Sequence, residues 1–240
     1  MEGPFSHAGE LAALATAFCW AVSALAFQTA GRRVGSLPDN LIRLVMAVFL
    51  LGAFTWATRG APLPLDASIH VWVWLSLSGL AGFTIGDLCL FRAFVTVGAR
   101  ISMLMMTLVP LFTTIFGFLV MHEVLTPKQF AGMALTIAGV SSVIWERRRD
   151  ANGRIERLPP GGVLLALGGA VGQSLGLVLA KYGMGSYDAF ASTQIRVLAG
   201  IIGFSVVFTA TDRWPRVRAA LGDRRAMTST GIGALFGPFI

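Results

Sequence analysis

Apolar residues run along this chain in stretches too continuous for a strand or a one-sided helix, and short polar segments separate them. Seven such runs cover residues 11–30, 40–58, 70–94, 101–121, 128–146, 161–181 and 187–210, and an eighth opens near residue 229. A helix needs about 20 apolar residues to cross about 30 Å of hydrocarbon, so these lengths predict membrane-spanning helices. Membrane strands would alternate over segments of about ten residues, and these runs do not alternate. The expected fold class is therefore all-α, a polytopic transmembrane helix bundle. Met1–Glu10 holds no Lys or Arg, so the first run lacks the basic start of a secretory leader and is read as a span.

The polar segments carry turn chemistry. Gly31–Asn40 (GRRVGSLPDN) joins the first two spans and Arg59–Ser68 (RGAPLPLDAS) the next two. Thr126 is placed to cap the fifth span, with Pro127 at its first helical position. Residues 213–225 (RWPRVRAALGDRR) suit either a basic interfacial segment or a solvated loop.

A repeat organises these runs. Residues 9–54 align without gaps on residues 162–207, 153 positions later: Gly9-Glu10-Leu11 meets Gly162-Val163-Leu164, and Leu41-Ile42-Arg43-Leu44 meets Gln194-Ile195-Arg196-Val197. Gly79-Leu80-Ala81-Gly82 then resembles Ala234-Leu235-Phe236-Gly237 at an offset of 155. The expected domains are a first copy of five helices over 1–146, a basic linker over 147–160, and a second copy over 161–240 with two helices and part of a third. The second copy lacks counterparts of residues 86–146, so a complete form is expected to hold about 300 residues and ten spans. Five passes per copy is an odd number, which makes the copies inverted across the membrane.

Composition agrees with a lipid solvent. The chain is 55% hydrophobic and 13% charged, where soluble domains carry about 25% charged residues. Arg supplies 17 of the 19 basic residues behind the net charge of +7. They sit beside spans, which excludes nucleic acid as a partner and points to orientation on the bilayer. Let end A bear the N-terminus and end B be opposite. Thirteen basic residues fall on end B, against Arg59, Lys128 and Lys181 on end A. The positive-inside rule then places end B in the cytoplasm. Cys19 and Cys89 lie inside spans and form no disulfide or metal pattern. His7, His70 and His122 are scattered, with no H-E-x-x-H and no phosphate-binding G-x-x-x-x-G-K-[ST]. No metal, cofactor or catalytic residue is expected.

Ionisable groups within spans are costly and mark function or pairing. Arg43, Asp87, Arg92 and Arg196 qualify. Arg43 and Asp87 share a depth near end B and are expected to pair. Arg196 is the second copy's equivalent of Arg43, and its acid would fall near position 242. Snorkelling to the headgroups is the competing reading for Arg43 and Arg196. Arg92, five residues past Asp87, points away from it and is read as interfacial. Gly168, Gly172 and Gly176 form a stripe at spacing four, matched by Gly82 and Gly86, and such stripes let helix backbones approach. Trp20 and Ser23, matched by Gln173 and Gly176, sit at the centres of the two first spans. Trp20, Gln173, Thr84, Asp87, Ser102 and Met106 are the expected cavity residues, with Met103 beside them. His122 and Glu123 lie where the fourth span leaves the membrane, which suits a proton-linked gate or an exposed turn.

The run Gly117–Val140 (GFLVMHEVLTPKQFAGMALTIAGV) resembles the EamA-type repeat of the drug/metabolite transporter superfamily. That repeat ends its fourth helix in a Gly-Glu-like turn, then carries Leu-Thr, a Gln and spaced glycines. Here the turn reads His122-Glu123. Arg43, Arg196 and Pro110 in Leu108-Val109-Pro110 also fit. The resemblance implies a ten-helix carrier with pseudo-twofold halves. Its partners would be the lipid bilayer, a small-molecule substrate and a proton or ion gradient, and a homodimer is compatible with it. It further implies export of amino-acid-like or drug-like metabolites across the cell membrane by alternating access. The weaker readings are a non-transporting, receptor-like scaffold and a membrane-embedded lipid-modifying enzyme.

Overall fold

A computed structural model describes residues 8–121, 126–145, 148–149, 155–156 and 159–237. The described residues are almost entirely helical. The helices are α1 Ala8–Val34, α2 Ser36–Arg59, α3 Ile69–Gly79, α4 Asp87–Thr96, α5 Ala99–Met106, α6 Val109–Met121, α7 Pro127–Trp145, α8 Pro160–Met184, α9 Ala189–Ala210, α10 Trp214–Gly222 and α11 Arg224–Phe236. Among the described residues, six stretches are long and apolar enough to span a membrane: 11–34, 36–59, 69–96, 99–121, 160–184 and 189–210. Large apolar side chains such as Leu14, Phe18, Phe49, Trp56, Ile202 and Val206 project outward from them. A water-facing surface would bury these residues, whereas lipid solvates them.

Four expectations are corrected. The 128–146 run forms α7, but Pro127-Lys128-Gln129 and scattered hydroxyl and glycine residues leave it less apolar than the six. The helix expected near residue 229 begins at Arg224. The 213–225 segment is not a loop: α10 occupies most of it, with Arg216 and Arg218 exposed. The Gly31–Asn40 connection shrinks to Gly35, whose φ of 93° a side chain rarely adopts, so Pro38, Asp39 and Asn40 lie inside α2. Within the 147–160 linker, Arg148–Arg149 pairs antiparallel with Ile155–Glu156 in a minimal two-strand ladder, and Pro159 and Pro160 already open α8. His122 and Glu123 lie outside the described residues.

Local chemistry sets the helix ends. Thr126 and Gln129 form a reciprocal capping box: the Thr126 amide donates to Gln129 Oε1 at 2.7 Å, and the Gln129 amide donates to Thr126 Oγ1 at 3.4 Å. Asp188 caps α9 by accepting from the Ala191 amide at 2.8 Å. Asp223 caps α11 by accepting from the Arg225 and Ala226 amides, both at 3.0 Å. Asp223→Ala is expected to destabilise by about 1 kcal/mol through this cap, read as a lowered melting temperature in detergent.

The span over 69–96 is not uniform. Between α3 and α4, Leu80–Gly86 winds as a π-helix. This wider segment is where α8 presses its glycines (Gly172 on Gly86, Gly176 on Gly82). Pro110 sits where α5 and α6 part, since it has no amide hydrogen and its ring crowds the carbonyl four residues back.

Packing pairs the two sequence copies crosswise. The α1 helix lies on α11 while α3 lies on α8, and α2 lies on α9. In addition α3 touches α9 while α11 touches α2. Two buried hydrogen bonds join equivalent pairs of positions, with donor and acceptor exchanged between them. Ser78 Oγ donates to the Gly176 carbonyl at 2.6 Å, and Ser23 Oγ donates to the Gly233 carbonyl at 3.2 Å. The repeat offsets carry residue 78 to 233 and residue 23 to 176. The main core fills the α2–α9 contact with Leu44, Leu51, Phe204 and Phe208.

Candidate functional site

Arg43 stands in the second turn of α2, and its guanidinium meets the Asp87 carboxylate of α4 in an ion pair. Asn40, one turn earlier, steadies it: Arg43 Nη2 and Nε donate to Asn40 Oδ1 at 2.9 and 3.2 Å. Three rings complete the setting, with Arg43 Cζ 5.6 Å from the centroid of Phe27, 5.8 Å from Phe83 and 5.0 Å from Phe91. Asp87 is 6% exposed. A charge pair this dry is strong electrostatically and breaks at high cost.

Arg196 shares the Phe83 ring, its Cζ 4.8 Å from the centroid. It makes no ion pair among the described residues, and its Nε and Nη2 are buried without a hydrogen-bond partner. Gln173 of α8 converges on it. A Cβ added to Gly82 would lie 3.5 Å from both Arg196 Nη2 and Gln173 Oε1. Thr84 is buried beside Gly203, and its hydroxyl has no hydrogen-bond partner among the described residues. Arg43, Asp87, Arg196, Gln173 and Thr84 therefore cluster around the π-helical turn, supplied by both copies of the repeat.

The remaining expected residues divide. Met103 and Met106 pack on the ring cluster of Phe27, Phe91 and Phe94 beside Arg43. Ser102 is fully buried and spends its hydroxyl on the Gly98 carbonyl at 2.9 Å. Trp20 is half-buried, and Arg92 is exposed. A Cβ added at Gly168 would lie 3.3 Å from Cys89 Sγ, and Gly172 and Gly176 meet the backbone of Gly86 and Gly82. Three polar residues escaped the sequence reading. Asp39 and Asn40 are fully buried, yet their SLPDN context carries turn signals. Fully buried Gln194 donates to the Pro62 carbonyl at 2.7 Å, and its place beside Ile195 in the repeat was the only signal.

Each end of the bundle carries a polar latch between the copies. At end A, Asp66 accepts from the Tyr187 hydroxyl at 2.8 Å and pairs with Arg59 at 2.7 Å. At end B, Arg33 pairs with Asp223 at 2.9 Å. Two surface cavities of about 430 and 440 Å³ flank Asp66 and are lined by end-A residues, distinct from the Arg43–Asp87 cluster. The Tyr187 hydrogen bond holds the Asp66 carboxyl below its usual range. A group depressed on folding stabilises above its unfolded pKa, and that contribution is lost as pH falls through the folded value. The end-A latch should therefore hold at neutral pH and weaken only in acid. Tyr187→Phe is expected to return Asp66 toward an ordinary carboxylate, measurable by NMR titration of its side chain.

The EamA-like transporter family model matches residues 7–145, more than half of the chain. Comparison with curated proteins finds no match.

Proposed function

The chain belongs to the EamA-like transporter family, and we propose that it carries small metabolites out across the cell membrane by alternating access between two inverted copies. Both the family and the six candidate spans make it a multi-pass membrane protein. The observation that carries the proposal is the crosswise packing, in which the equivalent position pairs Ser78–Gly176 and Ser23–Gly233 both meet through a buried hydrogen bond. Such reciprocity is what a twofold relation between copies produces. The family match over 7–145 follows the expected boundary of the first copy at residue 146, which supports the division into repeats. Carriers of this design bind substrate near the midplane where the repeats meet and rock one against the other.

In this reading the substrate meets the cluster of Arg43, Asp87, Arg196 and Gln173. The latches Asp66–Tyr187 and Arg33–Asp223 open in turn, one at each end. Export is what the resemblance to the drug/metabolite transporter superfamily implies, with the basic end B expected to face the cytoplasm. The test is a flux screen of purified protein in proteoliposomes with and without a pH gradient. Saturable flux of an amino-acid-like or drug-like compound supports the carrier. No flux for any metabolite class favours the scaffold.

A further inference from the structure

Asp39 lies in the first turns of α2, fully buried where that helix meets α11 near end B. Its Oδ1 is 2.5 Å from Thr230 Oγ1, which is also 3.0 Å from the Ala226 carbonyl. A hydroxyl has one hydrogen, and here it faces two acceptors. One hydrogen can be shared between two acceptors, as the Ser174 hydroxyl shares its own between the Val109 and Ala170 carbonyls; a proton on the Asp39 carboxyl gives each of the two Thr230 contacts its own hydrogen. Among the described residues Asp39 Oδ2 is buried with no hydrogen-bond partner, and no cation lies within ion-pair distance of the carboxylate. A bare carboxylate in such a place is costly to keep.

The fold itself does not ask for an acid here. The repeat offsets equate Asp39 with Ser192 and Thr230 with Leu75. That equivalent seam, between α9 and α3 at end A, closes on Val71, Leu75 and Ile195. The acid and hydroxyl therefore mark one end of an otherwise repeated contact.

We infer that Asp39 and Thr230 form a proton-binding site that holds the α2–α11 seam shut at end B while the proton is bound. This rests on the two-copy gate proposed above. With the proton in place, Asp39 donates to Thr230 Oγ1 and Thr230 donates to the Ala226 carbonyl. When the proton passes to water at end B, the charge left behind is hydrated only if α2 and α11 part. The closed state binds the proton and the open state releases it, so opening rises with pH, by up to about tenfold per pH unit for one group.

Other ionisable groups around the site are accounted for. Arg43, on the same helix, is held by Asn40 and Asp87. Arg32 and Arg33 of α1, Arg216 and Arg218 of α10, and Arg224 and Arg225 of α11 are exposed. Asp223 is paired with Arg33. On α4, Cys89 sits on Gly168 and Arg92 is exposed; on α9, Arg196 stacks on Phe83.

The experiment is hydrogen–deuterium exchange of the protein in lipid nanodiscs, stepped from about pH 5 to about pH 9. Rates are corrected for intrinsic exchange, and the α3–α9 seam serves as internal reference. Protection of the first turns of α2 and of α11 should fall by up to about tenfold per pH unit relative to that reference. Asp39→Asn should abolish the dependence. If that variant does not fold, Asp39→Ser, which installs the residue of the second copy, should do the same. Equal behaviour of the two seams, or a dependence that survives both variants, overturns the inference. Protection that follows sodium against choline at fixed pH, and not pH, overturns it in favour of an alkali-cation site. The readout needs no substrate, so a failed flux screen and a failed proton site are separate outcomes.

Discussion

Asp87→Ala is expected to lower stability by about 3–5 kcal/mol, because it leaves the Arg43 guanidinium buried without its counter-charge. Asn40 Oδ1 is neutral and cannot replace that charge, and Phe27, Phe83 and Phe91 keep water out. Asp87→Asn preserves shape and should still fall in this range. Arg43→Asp and Asp87→Arg should each be crippling, while the double exchange should recover a large part of the loss. Thermal melting of the four proteins completes a double-mutant cycle. A double exchange no better than either single change would mean that the pair contributes nothing beyond its separate charges.

Gly172→Leu is expected to prevent the helices from docking. A Cβ at Gly172 would lie 2.6 Å from Gly86 Cα, where non-bonded carbons settle at about 3.5–4.0 Å. The obstacle is backbone, so neither side can yield by changing a rotamer. Moving α8 away also strains the Gly176–Gly82 contact and the hydrogen bond from Ser78 to Gly176. Gly172→Ala alone should cost about 1–3 kcal/mol as overpacking, and leucine adds three more carbons. Gly132→Ala in α7 is the control. Nothing lies within 4 Å of its Cβ position, so the gain in helix propensity should leave it neutral or slightly stabilised. Size-exclusion profiles and melting temperatures would separate these outcomes.

The pattern of apolar runs revealed most of the helices, because lipid demands long uninterrupted apolar segments. The connections were harder. Pro38, Asp39 and Asn40 look like a turn, but Pro is tolerated in a first helical turn, Asp39 is buried against Thr230 of α11, and Asn40 is buried against Arg43. Glycine spacing marked α8 as a packing face. It could not show that the partner backbone is π-helical, since that depends on how closely two helices meet.

Two things could be read from the chain alone: the apolar lengths that require lipid and the duplication that equates Arg43 with Arg196. Both are local or self-comparing properties. The shared depth of Arg43 and Asp87 already suggested their pairing; tertiary structure decided that Arg196 stacks on the same Phe83 with no ion pair among the described residues, and that Asp39 is sealed against Thr230. Those outcomes turn on which helix faces which across the two copies, and periodicity along one strand of sequence holds no record of its neighbour.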